Sequence, residues 1–297
     1  MGIEAQEHAL EPSQVVAQWD PWKQRIVAST RNVARVVFET AAFAPGGSAF
    51  RVELDGDRFD VRSAAESLVS PGPRRPGEPT SWGRPLYFAR NDGRWAPAGP
   101  ASAAAKGARR HGPFKDAFRH RMVFVYGTAG TREENAWALA KARFDAESFW
   151  YRGNGSVEVV PDTAFRAEQE PERGVILFGH ADMNSAWGPL LAGSPVQVRR
   201  GVVTVGGRKI EADDLACLFL QPRPGSAVAS VGVVAGTGLP GLRLTNRLPY
   251  FMAGTAYPDC LVLGSAVLRE GTAGIVTAGF FGQDWSVAGG EFAWGSD

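Results

Sequence analysis

Three apolar runs in the second half of the chain constrain its fold most strongly. Residues 122–127 read MVFVYG, residues 175–179 read VILFG, and residues 230–236 read SVGVVAG. A short, continuous apolar run is typical of a strand that is buried on both faces of a parallel sheet. Each run ends in a glycine followed by a polar residue, so each strand is predicted to lead into a sharp turn at the edge of a sheet.

A helix is predicted between the first two of these strands. The segment TREE forms a capping box, in which Thr131 accepts from a backbone N–H three residues on and Glu134 reaches back. The helix is expected to continue to Gly153, with an apolar stripe of Trp137, Ala140, Phe144 and Tyr151 in the core. Strands that alternate with helices predict an α/β fold: a mostly parallel, doubly wound, flavodoxin-like sheet with helices on both faces, over residues 114–297.

The first third of the chain has a different pattern. Residues 1–98 contain short segments rich in Val, Ile, Phe, Tyr and Trp, with the turn pairs Asp55-Gly56 and Asp92-Gly93 between them. Such pairs favour hairpins, because glycine adopts positive φ at little cost. We predict a small antiparallel β-sandwich domain over residues 1–98 and a Pro- and Gly-rich linker over residues 99–113. Residues 70–85 are predicted to form a surface loop.

Composition disfavours several classes of partner. The net charge of the 297-residue chain is +1 and its basic residues are dispersed, so no nucleic-acid partner is predicted. No apolar stretch is long enough to predict a membrane span. Cys217 and Cys260 lie far apart and predict neither a zinc site nor a disulfide framework.

The turns after the apolar runs suggest where a ligand could bind. Ligands of open α/β sheets bind outside the carboxyl ends of the strands, where the strand order reverses. The predicted binding cleft comprises Gly127, Thr128, Gly179, Asn184, Gly236 and Thr237. His180 and Asp182, which follow the second run, are the candidate catalytic residues of this cleft.

Two interpretations of His180 are open. His180 could serve as a general base with its ring oriented by Asp182, while a Ser or Thr of a neighbouring loop attacks a substrate. Alternatively, Asp182 or Asn184 caps the following helix and His180 donates to a loop carbonyl. The second interpretation is favoured, because a His-x-Asp pair alone identifies no reaction.

Other chemical motifs are missing or incomplete. The sequence has no G-x-S-x-G nucleophile elbow, no H-E-x-x-H zinc motif and no P-loop. Residues 236–241 match the dinucleotide motif G-x-G-x-x-G, but Pro240 interrupts the turn where the helix should begin. The motif also needs an acidic residue at the carboxyl end of the next strand, and Asp259 instead comes before its strand. We therefore predict no cofactor and no metal.

Several segments within residues 112–294 resemble a known group of proteins. Among them are ILFGHADMNSAWGPLL, DDLACLF and GVVAGTGLPGLRLTNRLPYF. They look like the C-terminal region of large bacterial, planctomycete-type, prolyl-oligopeptidase-like or esterase-like secreted hydrolases. The resemblance implies an extracellular or periplasmic location and a catalytic α/β-hydrolase domain, with its nucleophilic serine, upstream of the matched part. No catalytic residue is carried over from it.

Three functions follow from these observations. The first is an accessory module that positions a polymeric or ester substrate or stabilises a catalytic α/β-hydrolase domain. The second is a self-sufficient hydrolase of ester or peptide bonds that uses His180 and Asp182. The third is a carbohydrate- or polymer-binding protein, suggested by nine tryptophans that include Trp19, Trp22 and Trp82.

Overall fold

A computed structural model describes residues 1–39, 49–62 and 85–295. The chain divides into two compact units, residues 1–102 and residues 103–297. This division falls within the segment predicted as a linker, residues 99–113. The predicted surface loop and Trp82 lie outside the described residues, apart from Pro85 at the end of that loop.

The described residues of the first unit form eight strands in two four-stranded sheets. In chain order they are β1 (Gly2–Ala5), β2 (Gln14–Asp20), β3 (Arg25–Arg31), β4 (Arg35–Phe38), β5 (Ala49–Leu54), β6 (Asp57–Arg62), β7 (Leu86–Asn91) and β8 (Arg94–Ala98). One sheet has the order β1-β4-β7-β8 and the other β2-β3-β5-β6. Buried side chains of both sheets, such as Phe38 and Val52, form one core between them.

The hairpins of the first unit occur at the predicted turn pairs. Asp55 and Gly56 join β5 to β6 with φ of 47° and 95°, and Asp92 and Gly93 join β7 to β8 with φ of 48° and 79°. The unit is not wholly antiparallel, however, because β3 and β5 pair in parallel. The chain between them passes through β4 in the other sheet, and such a crossover returns the chain in its original direction.

The second unit is built around one eight-stranded sheet. Its elements are β9 (Met122–Tyr126), α1 (Arg132–Gly153), β10 (Glu158–Pro161), β11 (Gly174–Phe178), α2 (Trp187–Leu191), β12 (Val196–Arg199), β13 (Val202–Val205), β14 (Arg208–Glu211), β15 (Ala216–Pro222), β16 (Ser230–Gly236), α3 (Leu239–Leu244), β17 (Cys260–Leu263), α4 (Val267–Glu270), β18 (Ile275–Phe280) and β19 (Glu291–Trp294). The large sheet has the order β10-β9-β11-β16-β15-β17-β18-β19, and β12, β13 and β14 form a separate three-stranded sheet.

The predicted doubly wound, flavodoxin-like α/β fold is wrong. Of the residues that the structure describes, 38% lie in strands and 19% in helices, and helices do not cover both faces of the large sheet. The strands β10, β9, β11 and β16 are parallel, whereas β15, β17, β18 and β19 each pair antiparallel with their neighbours. Parallel neighbours need a crossover of about a dozen residues or more. Residues 223–229, between β15 and β16, are too few for a crossover and form a hairpin connection.

The long helix α1 begins as predicted, but of its predicted core stripe only Trp137 is buried. Thr131 is its N-cap, and both hydrogen bonds of the capping box are present. Phe144 and Tyr151 of the predicted core stripe are 62% and 80% exposed. The buried face instead carries the ion pair Lys141–Asp145, and Asp145 accepts the hydroxyl of the buried Tyr250. Apolar periodicity misidentified the face because the helix buries charged groups that satisfy one another.

The small three-stranded sheet lies at one edge of the large sheet. Its Gly206-Gly207 turn joins β13 to β14 as the sequence predicts, with φ of 59° and 90°. Four valines of β12 and β13 are buried in the main core of this unit. The backbone N–H of Ala181 donates to the carbonyl of Val198 in β12, at 2.9 Å. The small sheet is therefore bonded directly to the loop that follows β11.

Candidate functional site

The predicted turns start at one edge of the large sheet, which we call the carboxyl edge. Tyr126, at the end of β9, pairs in register with Phe178, at the end of β11, and Phe178 pairs with Val234 near the end of β16. The backbone N–H of Gly127 donates to Phe178, and that of Gly179 donates to Val234, both at 3.0 Å. The first residue of each turn thus continues the hydrogen bonding of the sheet.

Thr128 and Asn184 are both used to hold these turns together. The hydroxyl of Thr128 donates to Oδ1 of Asp162 at 2.6 Å, and Oδ2 of Asp162 accepts the backbone N–H of Ser185 at 2.7 Å. The amide of the buried Asn184 donates to the carbonyls of Val125 and Phe178, at 3.1 and 3.2 Å. Asp162 was not among the predicted site residues, although it follows β10 at the same edge.

Gly179 gives the chain its sharp turn into His180. Its φ is +108°, a value that other residues adopt rarely, and a Cβ at this position would collide with the side chain of Met183. The buried Met183 fills the inside of the turn and belongs to the main core. The turn directs the ring of His180 inward.

His180 is fully buried and lies in a group of hydrogen-bonded titratable residues that we call the Glu134 cluster: Glu134, His180 and Arg200. Nε2 of His180 lies 3.4 Å from Oε1 of Glu134. Arg200, in the turn between β12 and β13, donates from Nη2 to Oε2 of Glu134 at 2.6 Å. Glu134 also accepts the backbone N–H of Thr131 at 2.7 Å, so one carboxylate joins the start of α1, the turn after β11 and the small sheet.

The two nitrogens of His180 are both engaged. Nδ1 accepts the backbone N–H of Asp182 at 3.3 Å, so the proton of the neutral ring lies on Nε2 and is donated to Glu134. The carboxylate of Asp182 lies 3.9 Å from Nδ1 and is bonded elsewhere. It accepts from Nη1 of Arg199 at 2.6 Å and from the backbone N–H of Arg200 at 2.9 Å. The carboxylate of Asp182 therefore bonds to the small sheet, and only its backbone N–H contacts the imidazole.

The electrostatics of the cluster favour a charged Glu134 and a neutral His180. Burial opposes the charge of Glu134, but hydrogen bonds from Arg200, from the Thr131 backbone and from His180 outweigh it and lower its pKa to about 2. Burial lowers the pKa of His180 below 6.5, and the nearby Glu134 only partly offsets this effect. A neutral His180 can donate to the ionised carboxylate, so the arrangement is stable without protonation of the ring.

Gly236 and Thr237 also have structural partners. Thr237 is buried; its backbone N–H donates to the carbonyl of Leu215 at 2.9 Å, and its hydroxyl oxygen accepts the N–H of Leu215 at 3.1 Å. The carbonyl of Thr237 accepts the N–H of Gly201 at 2.7 Å. Neither Gly236 nor Gly241 has room for a Cβ. The backbone of α3 lies against Gly236, at the end of β16, and against the backbone of residues 214–215. The G-x-G-x-x-G match therefore reflects tight packing of α3.

The predicted nucleophile for His180 has no counterpart among residues 1–39, 49–62 and 85–295, since no Ser or Thr hydroxyl there bonds to the ring. The same residues contain no group of three or more His, Cys, Asp or Glu side chains suited to a metal ion. Cys217 and Cys260 are free, and burial raises the pKa of both thiols. No helix within the described ranges is long and apolar enough to span a membrane.

Sequence reasoning missed the roles of Glu134 and Arg200. Glu134 was assigned only to the capping box, which uses one of its oxygens and leaves the other for His180. The adjacent arginines Arg199 and Arg200 lie at a turn between two strands and are visible in the sequence. Their partners could not be identified from it, because Asp182 lies 17 residues from Arg199 and Glu134 lies 66 residues from Arg200.

Comparison of the chain with protein-family models, with curated protein sequences and with solved structures gives no significant match. The resemblance to secreted hydrolases therefore stays a prediction from the sequence.

Proposed function

We propose that this chain is a non-catalytic accessory module of a secreted hydrolase of the prolyl-oligopeptidase-like or esterase-like type. The observation that carries the proposal is the bonding of His180 within the Glu134 cluster. His180 is the candidate general base of the predicted cleft, yet it is fully buried and both its nitrogens are bonded within the protein. A general base needs a free nitrogen within hydrogen-bond reach of a substrate proton.

The cluster has the properties of a structural connection. It joins the start of α1, the turn after β11 and the turn between β12 and β13 through one ionised carboxylate. The carboxylate of Glu134 is buried, so removal of one of its partners leaves a buried charge with fewer bonds, which destabilises a protein. We therefore assign His180 and Glu134 to the stability of the second unit.

The first unit supplies a group suited to contact with a partner or a polymeric substrate. Trp22, at the turn between β2 and β3, is 94% exposed. Trp19 is only partly exposed and packs edge-on against Phe50, 6.2 Å between ring centroids. An exposed tryptophan is costly in water and is common at binding surfaces. Trp22 is the residue through which we expect the module to contact its partner or substrate.

The proposal is tested by assaying the purified chain for hydrolysis of p-nitrophenyl acetate and of Gly-Pro-p-nitroanilide. We expect no turnover above the uncatalysed rate, and we expect His180→Ala to lower the thermal midpoint. The matched control is His120→Ala, since His120 is exposed and distant from the cluster in sequence. Turnover that His180→Ala abolishes at an unchanged midpoint would instead establish the self-sufficient hydrolase.

A second function, binding of a carbohydrate or another polymer, is favoured by the exposure of Trp22. It is separated from the first by two measurements on the same Trp22→Ala variant. Loss of retention on insoluble polysaccharides supports polymer binding. Loss of association with a separately expressed α/β-hydrolase domain, with polysaccharide retention absent in both proteins, supports the accessory module.

A further inference from the structure

The outward face of the helix α1 carries aromatic side chains that the core of the protein does not use. Phe144 and Tyr151 are exposed and lie seven residues apart, about two turns along one side of the helix. The exposed residues Ala136, Ala140 and Glu147 lie along the same line, and we call the five residues the α1 stripe. Large aromatic groups grouped on a surface mark a site of association, because water solvates them poorly.

The spacing of the α1 stripe suits contact with another helix. From Ala140 to Tyr151 its members follow one another at intervals of four, three and four residues. This is the period of a coiled-coil seam, which keeps one line of side chains facing a second helix along the whole contact. The opposite face of α1 is already occupied, since Ala138 and Ala142 belong to the main core. A helix is therefore the element that fits the stripe.

Two charges on this face indicate which helix it is. Arg143 and Glu147 are exposed, and neither has an ion pair within the residues that the structure describes. An identical helix placed antiparallel, with the twofold axis beside residue 145, brings Arg143 of each copy level with Glu147 of the other. Both crossed pairs then join opposite charges. The face is thus complementary in charge to a second copy of itself.

The same placement also matches the sizes of the side chains. Ala140 of each copy comes within one residue, about 1.5 Å along the axis, of the level of Tyr151 of the other. The small alanine leaves room for the large ring, and large-against-small contacts of this kind let helices approach closely. The two Phe144 rings lie next to the twofold axis. A parallel arrangement would instead set Arg143 beside Arg143 and Tyr151 beside Tyr151.

We propose that α1 pairs antiparallel with α1 of a second copy of this chain, through Phe144 and Tyr151 and the crossed Arg143–Glu147 pairs. A self-complementary face of this kind gives a closed twofold dimer. One helix pair buries less than the about 1,200 Å² of a stable interface, so we expect a dimer that dissociates in the micromolar range. The proposal is independent of the accessory role, since it involves neither Trp22 nor a hydrolase domain.

The first test is sedimentation equilibrium of the full chain from about 2 to about 200 µM. We expect a monomer–dimer equilibrium. Phe144→Ser and Tyr151→Ser should each raise Kd at least about tenfold, because each removes an aromatic ring from the contact. Leu268→Ser, an exposed leucine on α4, is the matched control and should leave Kd unchanged. Thermal midpoints show that the variants remain folded, as expected for exposed positions.

The second test reverses the charges. Arg143→Glu alone and Glu147→Arg alone each put like charges in both crossed pairs, so each variant should be monomeric over the same range. An equimolar mixture of the two variants should form a dimer, because every crossed pair then joins a carboxylate to a guanidinium. The double variant Arg143→Glu/Glu147→Arg should dimerise by itself for the same reason.

The outcomes decide the proposal. A wild-type chain that is monomeric at every concentration overturns it, and so does a dimer whose Kd is unchanged in Phe144→Ser. A mixture of the two charge variants that stays monomeric also overturns it. Association restored both in the mixture and in the double variant supports the antiparallel pair, since a membrane or an unrelated protein on this face would not restore it.

Discussion

The carboxyl edge of the large sheet has a half formed by parallel strands and a half formed by antiparallel strands. Arginines and carboxylates lie at both halves, but one half is filled by side chains and the other is open. In the parallel half, Glu134 of α1 bonds to Arg200 and to His180, which follows β11 and is fully buried. In the antiparallel half, Arg208 and Arg269 line an open cavity of about 470 Å³. The general rule places a ligand at the carboxyl ends of parallel strands. In this protein that place is filled by its own side chains, and the open space lies beside it.

The small sheet of β12–β14 explains the difference. Its first turn brings Arg200 to Glu134 and the N–H of Gly201 to the carbonyl of Thr237, which covers the ends of β11 and β16. Its last strand, β14, instead forms one wall of the open cavity in the antiparallel half. One inserted sheet thus closes one half of the edge and shapes the other.

Among substitutions in the Glu134 cluster, Glu134→Ala is expected to lower the free energy of unfolding the most. The substitution leaves the buried His180 without its acceptor, deprives the half-exposed Arg200 of its ion pair and removes half of the capping box, so we expect a loss of about 3 kcal/mol in the free energy of unfolding. The measurement is the denaturant midpoint of the second unit. Glu133→Ala, on an exposed side of the same turn, is the control. Equal midpoints for the two variants would mean that the cluster is not a structural connection.

The free energy of unfolding should depend on pH because His180 is buried in the parallel half of the carboxyl edge. The pKa of His180 is lowered in the folded state, so between that value and about 6.5 the unfolded chain binds a proton that the folded chain does not. The contribution of His180 to stability is therefore complete above about pH 6.5 and falls as pH decreases below it, by at most about 1.4 kcal/mol per pH unit.

The measurement is the free energy of unfolding between pH 5 and pH 7.5. His180→Gln should flatten the slope between pH 5 and 6.5, whereas His120→Gln should retain it. A slope that is the same in all three proteins would assign the pH dependence to other groups and remove His180 from the argument.

The smallest effect is expected for the arginines of the β12–β13 turn. Arg200 is half exposed, so Arg200→Gln should cost about 1 kcal/mol, and Arg199→Gln, which breaks a more exposed pair with Asp182, at most about 0.5 kcal/mol. Combining Arg200→Gln with Glu134→Ala should cost less than the sum of the two, because both remove the same ion pair. Strict additivity would contradict the direct Glu134–Arg200 interaction.

Parts of the fold that depend on neighbouring residues could be predicted from the sequence. The capping box of Thr131 and Glu134 and the hairpins at Asp55-Gly56 and Asp92-Gly93 are present. Of the apolar stripe predicted for the core of α1, Trp137 is buried, but Ala140, Phe144 and Tyr151 are exposed. The buried face carries the pair Lys141–Asp145, and Tyr250, which also bonds to Asp145, lies 105 residues away in the sequence. For the candidate site, the sequence located the turns at one edge but not the bonding of His180.

The sequence by itself determined the short buried strands, the turn glycines and the start of α1, since hydrogen bonding and φ preferences act over a few residues. Only the tertiary structure decided that β15, β17, β18 and β19 run antiparallel, and that Arg200 closes the site over Glu134. Those features join segments that are distant along the chain. Their free energies come from packing and buried charge, which local residue patterns do not encode.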